Sequence, residues 1–125
     1  MKTARTQIRR IPKRANYDRE QVYAILDAAR ICHLGFVVDQ QPYVIPTIHT
    51  RLGDTLYLHG APASRMLKVL AQGAPICVTV SHVDGLVLAK SAFHHSMNYR
   101  SAMVLGKAAL VEDLDEKTAA LRGFV

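Results

Sequence analysis

The sequence predicts a mainly β domain in which six strands close into an antiparallel barrel, with helices on its outside and at its ends. Three observations lead there. Six stretches show apolar alternation or β-branched character between turn residues. Their links are short. A single helical pattern is inserted among them, which argues against alternating βαβ units. With 125 residues, 50% hydrophobic and 21% charged, the chain has the size and composition of one globular domain with a modest core.

The elements follow in order. Asp18 caps a first helix, Gln21 completes a capping-box pattern, and Val22, Ile25, Leu26 and Ala29 recur on one face. This helix ends before Gly35. Residues 33–39 form a strand, with the turn at Gln40-Gln41-Pro42. Residues 43–51 alternate around Pro46, which predicts a bulge or an edge there because proline has no N–H to donate. After the turn Leu52-Gly53-Asp54, residues 55–59 form a third strand. Pro62 suits a first helical turn, Met66, Leu67, Leu70 and Ala71 make a buried face, and Gly73 stops that helix. Residues 75–82 and 86–93 read as a hairpin about Val83-Asp84-Gly85. After a polar connection at 94–98, residues 99–111 form the last strand, with a bulge at Gly106. Glu112-Asp113-Leu114-Asp115 opens a final helix, whose Leu114, Ala119, Leu121 and Phe124 have little following sequence to cover them.

The net charge of +6 is unevenly placed. Lys2, Arg5, Arg9, Arg10, Lys13 and Arg14 precede the first acid, Asp18, and beyond Asn16 the charges cancel. The basicity is that of an N-terminal arm, residues 1–15, ahead of a neutral domain, residues 16–125. Such an arm can bind nucleic acid. The lack of an aromatic platform or reading helix argues against that partner. No apolar run approaches the ~20 residues of a membrane helix, and the basic start has no apolar stretch behind it. The protein therefore reads as cytoplasmic, with Cys32 and Cys77 as reduced thiols.

The strongest chemical signal runs from His59 to Lys68. A strand ends, Gly60 permits close backbone approach, and a helix begins, whose free N–H groups favour an anion. Ser64 adds a hydroxyl, Arg65 a guanidinium able to grip phosphate by two bonds, and Lys68 a further charge. A helix start with surface cations looks the same in sequence. Ser96-Met97-Asn98-Tyr99-Arg100-Ser101 groups side chains that can all donate hydrogen bonds, Met97 excepted. Pro46-Thr47-Ile48-His49 can present distorted backbone to a flat ligand, or simply protect an edge. His49, His59, His82, His94 and His95 lack metal-ligand spacing, and no metal site is expected. No P-loop, Gly-x-Ser-x-Gly or Gly-x-Gly-x-x-Gly pattern is present.

Read together, several runs carry a resemblance. They are Tyr43-Val44-Ile45-Pro46-Thr47, Leu56-Tyr57-Leu58-His59-Gly60, Ser64-Arg65, Gly85-Leu86-Val87-Leu88-Ala89, the stretch from Phe93 to Ser101, and Gly106. In this order they resemble the FMN-binding split-barrel superfamily of pyridoxamine 5′-phosphate oxidase, and more narrowly its nitroimidazole-resistance branch. The resemblance implies a six-stranded antiparallel split β-barrel that forms a homodimer with FMN at the interface. It implies that Pro46, Thr47, Ile48 and His49 lie along the flavin ring, and that His59, Gly60, Ser64 and Arg65 hold the phosphate. The oxidase has a lysine directly after that arginine; here Met66 stands there, and Lys68 would substitute. Asn98, Tyr99, Arg100 and Ser101 would approach the flavin from the last strand, across the dimer. Members of the branch run on for a further helix and strand, so a C-terminal truncation is expected.

The implied activity is an FMN-dependent oxidoreductase. It would take electrons from a reduced nicotinamide or another donor and deliver them to a small oxidised substrate such as a nitro compound. Arg100 and His49 would face the flavin's N1/O2 edge. His59 is the nearest thing to a catalytic acid. The oxidase's pyridoxal-phosphate residues have no counterparts here. The alternative is a flavin or haem module without turnover, a carrier or sensor, with His59 or His94 as haem ligand.

Overall fold

The computed structural model describes residues 2–10, 13, 15–60, 64–90 and 96–125. Its elements are α1 (Arg19–Asp27), β1 (Ile31–Val38), β2 (Gln41–Leu52), β3 (Thr55–His59), α2 (Arg65–Ala71), β4 (Pro75–Val87), β5 (Ser96–Lys107) and α3 (Leu114–Gly123). The five strands form one antiparallel sheet in the order β3-β2-β1-β4-β5. This is the mainly β, split-barrel class that the sequence predicts, with five strands among the described residues where six were expected. The halves β3-β2-β1 and β4-β5 meet over just His33–Gly35 opposite Cys77–Thr79.

The missing strand is a matter of register. Val83-Asp84-Gly85 is not a turn. β4 runs straight through it to Val87, and a bulge between Val83 and Gly85 absorbs one extra residue opposite β5. A bulge and a tight turn share the same short polar-glycine signature, and only the partner strand distinguishes them. Of the expected partner strand 86–93, Leu86 and Val87 end β4, residues 88–90 are outside any strand and residues 91–93 lie outside the described residues; residues 96–98, expected as a link, open β5. Gly106 pairs in register with Ile76, without a bulge.

Two other turns shift. The β1–β2 hairpin turns at Asp39-Gln40, both with positive φ (49° and 66°), and Pro42 lies inside β2 opposite Val37. Both central residues of such a two-residue turn adopt positive φ, a conformation that aspartate tolerates better than most. Asp18 stands at the α1 N-cap, but its side chain makes no cap bond, and Gln21 Oε1 accepts from Asn16 Nδ2 instead (2.6 Å). α3 begins at the expected acidic segment, and there Asp113 caps it, accepting from the Glu116 N–H at 2.9 Å.

The core lies on one face of the sheet. Cys32, Leu34 and Phe36 from β1, Val78 and Val80 from β4 and Ala102 from β5 are buried together with Leu26 of α1 and Met66 and Leu70 of α2. Burial pushes the Cys32 thiol up to about 11 and leaves it a reduced apolar filler. The terminal carbonyls of α1 are capped from the sheet. His49 Nε2 donates to Leu26 O at 2.8 Å, and His82 Nε2 to Ile25 O at 3.0 Å. α3 is tied to the sheet by Tyr57 donating to Glu116 (2.9 Å) and Thr50 donating to Gly123 O (3.1 Å). A side chain at Gly123 would meet Thr50 Oγ1 at 2.8 Å. Leu114 and Leu121 on this helix remain exposed.

Candidate functional site

β3 pairs with β2 from Ile48 to Leu52 only. Among the described residues, Tyr43–Thr47 therefore has β1 on one side and no strand on the other. Pro46 sits in this free stretch, where a missing N–H leaves no ladder bond unmade. The end of β3 and the first turn of α2 both reach that open edge. Thr47 Oγ1 donates to His59 O at 2.8 Å, which fixes the end of β3 to it. The Arg65 guanidinium, from the first turn of α2, lies over the Tyr43 ring at 4.8 Å. Tyr43 in turn stacks on buried Phe36, with centroids 5.7 Å apart and planes 19° apart.

Two of the sequence-predicted groups, Pro46–His49 and His59–Lys68, are thus joined through Thr47 and His59, with Arg65 close by on Tyr43. Among the described residues, neither Arg65 nor Lys68 is in an ion pair. A separate apolar groove of about 300 Å³ runs along Gly35, Val37, Tyr43, Val44 and Cys77, and neither Arg65 nor Lys68 lines it. Cations without a carboxylate partner at an open strand edge fit a ligand that carries an anionic ester.

The helix start contributes less than expected. α2 has seven residues, and the Ser64 hydroxyl oxygen already accepts one of its free N–H groups, from Leu67 (3.2 Å). What remains for an anion is the Ser64 O–H, Arg65 and Lys68. Gly60 serves packing, because a Cβ there would meet Met66 Cε at 3.0 Å. Pro62 falls outside the described residues, as do His94 and His95.

Other predicted residues point elsewhere. Alternation puts Pro46 and Ile48 on the exposed face and Thr47 and His49 on the core face. The His49 ring is 4% exposed and engaged with α1 rather than facing outward with Ile48. His59 packs edge-on against Phe124, with centroids 5.7 Å apart. The β5 group is separated from β2 by β1 and β4. Within it, Asn98 and Arg100 share the parity of buried Ala102, whereas Tyr99 and Ser101 take the opposite face.

Arg100 binds Asp84 through Nε and Nη2 at 3.0–3.2 Å, an ion pair made possible by the bulge. Hydrogen bonding from Arg100 holds the Asp84 carboxyl below the ordinary aspartate range. The folded chain thus binds this proton less tightly than the unfolded one. The pair stabilises the fold above the ordinary range, and that contribution is lost as pH falls through the depressed value. An NMR titration of Asp84 is expected to give a lower midpoint in the native protein than in Arg100→Gln.

Sequence reasoning passed over Tyr43 and His82 as individual residues. Tyr43 had a signal, an aromatic on the same strand as Pro46. His82 had none, because its partner, the Ile25 carbonyl, is 57 residues away. A second cavity, of about 310 Å³, lies under the end of α1 between Leu26, Arg30, His49 and Gly123, away from the cluster at Arg65. Among the described residues no three His, Cys, Asp or Glu side chains gather as a metal site, and no helix is long and apolar enough to cross a membrane.

The chain matches the family model described as pyridoxamine 5′-phosphate oxidase over residues 18–125. It is similar to flavocytochrome Anf3 from Azotobacter vinelandii, at 44% identity and a TM-score of 0.88, over 98% of this chain and 56% of that one. It is also similar to a FAD- and heme-binding protein from Mycobacterium smegmatis, at 36% identity and a TM-score of 0.80, over 86% and 52%. A third similar structure, assigned to 5-nitroimidazole antibiotic resistance in Bacteroides thetaiotaomicron, is 32% identical with a TM-score of 0.72, over 87% and 65%. The chain spans about half to two thirds of the length of these three. A search of curated proteins finds no significant relative.

Proposed function

The chain belongs to the pyridoxamine 5′-phosphate oxidase family, and from that premise we propose that it binds a flavin, FMN, at a seam between two copies and acts as an oxidoreductase on a small oxidised molecule. The observation that carries this reading is the contact of Arg65 with Tyr43, which draws the cations of α2 to the open edge of β2. In this reading Arg65, Lys68 and the Ser64 hydroxyl hold the phosphate ester, and the backbone of the Pro46 stretch borders the ring. Bound flavin would supply electron transfer from a reduced nicotinamide or another donor to a substrate such as a nitro compound. The chain's own residues bind and orient it and keep water from one face.

The second copy is supported by the outer face of the sheet. Ile31, Val44, Ile48, Tyr99, Met103 and Leu105 are exposed there, Val44 at 69% and Tyr99 at 59%. An apolar face of this extent marks an interaction surface. It also offers a route for the β5 group, which the partner's β5 would bring to the flavin. The names of two similar structures, a flavocytochrome and a FAD- and heme-binding protein, favour a second reading in which the flavin is FAD or a haem is also held.

One preparation separates these. The purified chain is titrated with FMN, FAD and haem, and absorbance and flavin fluorescence are followed. Quenching that saturates with FMN in a dimer is expected. A protein that takes up no flavin refutes the reading, and a sharp Soret band with haem alone replaces it with the haem module. Mixing the loaded protein anaerobically with NADH or NADPH then tests turnover through flavin bleaching.

A further inference from the structure

We infer that Tyr43 is a positioning residue for the anion-binding guanidinium of Arg65, holding it in the posture that grips a phosphate ester. The inference rests on the flavin reading above and adds to it a residue that touches neither phosphate nor flavin ring.

An exposed arginine loses much rotamer freedom when it clamps a ligand, and that loss is deducted from the affinity. A ring that holds the guanidinium beforehand removes part of it. Arg65 lies 4.8 Å from the centre of the Tyr43 ring, within the range of a cation–π contact. Such a contact occupies one flat face of the guanidinium. Its N–H groups lie in the plane of the fork and stay open for two-point binding of phosphate oxygens.

The support is itself anchored. Tyr43 pairs in register with Phe36, stacks on it at 5.7 Å, and Phe36 is 3% exposed. The chain thus runs from core to ligand as Phe36, Tyr43, Arg65. The rival for Arg65 would be a carboxylate. Among the described residues Asp27, Asp54 and Asp84 are the acids in ion pairs, each with another arginine. Arg65 is therefore committed to an aromatic face and keeps its charge for an external anion.

The test compares FMN with riboflavin, which has the same ring and no phosphate, on wild type, Tyr43→Leu, Tyr43→Phe, Arg65→Ala and the Tyr43→Leu/Arg65→Ala double variant. Tyr43→Leu is expected to weaken FMN about 2- to 5-fold, the size of an exposed cation–π contact, and to leave riboflavin unchanged. Tyr43→Phe keeps the aromatic face and should bind FMN as wild type does. In the Arg65→Ala background, Tyr43→Leu should cost nothing further, because its effect passes through Arg65. Equal weakening of FMN and riboflavin would make Tyr43 a structural residue and overturn the inference. So would an additive double variant, or a Tyr43→Phe protein as weak as Tyr43→Leu. If Tyr43→Leu does not fold, Tyr43→Phe and Tyr43→His decide the matter: the inference fails if FMN affinity does not follow the ring's ability to carry a cation. A wild type that takes neither flavin fails one step earlier, and defeats the flavin reading together with this inference.

Discussion

Leu34→Ala is expected to lower the free energy of unfolding by about 2–5 kcal/mol, the range found for leucine truncation in closed cores. Leu34 is fully buried at the centre of β1, between Ile45 of β2 and Val78 of β4. It lies within the short stretch where the two halves of the sheet meet. The cavity left by alanine would open at that junction, where few backbone pairs are available to hold the halves together. Urea denaturation followed by circular dichroism measures the loss. A fall of the midpoint without a change in slope is the expected pattern, and a variant as stable as wild type would show that the junction is not where the fold is held.

His49→Leu is expected to cost about 1–3 kcal/mol, the penalty for leaving a buried polar group without its partner. Leucine roughly keeps the volume but removes the ring donor to Leu26 O, a carbonyl at the end of α1 that would keep only the long bond from the Ala29 N–H (3.4 Å). A carbonyl only accepts, so Nε2 carries the hydrogen of this bond, and Nδ1 is buried without a partner among the described residues. The ¹⁵N shift of Nε2 should report its bound hydrogen. The loss should appear in flavin-free protein, as faster hydrogen exchange of the last amides of α1. That result would distinguish a helix cap from a flavin contact. If flavin-free His49→Leu melts with wild type and exchanges at the same rate, the cap is energetically idle.

The two predictions also mark where the sequence was legible. Leu34 belongs to an alternating strand, and alternation is a local property: the neighbour two residues away shows which face is buried. The acidic start of α3, the stop at Gly73 with its φ of +76° and the proline at a free edge were legible for the same reason. Val83-Asp84-Gly85 was not. Turn and bulge differ only in what lies opposite, and there β5 supplies Tyr99 and Asn98. The partner of His49 was not legible either. The resemblance offered its ring as a donor to the flavin's N1/O2 edge, whereas in the fold the ring bonds a helix carbonyl 23 residues earlier.

By itself the sequence determined the mainly β class, nearly all the elements, the basic arm and the two segments that could hold an anionic ester, because each depends on spacing within a few residues. Tertiary structure decided the strand count, the faces taken by His49, Asn98 and Ser101, and the meeting of Arg65 with Tyr43. Those depend on register between strands and on how far a helix reaches past the end of its neighbour. Chain order does not encode either one locally.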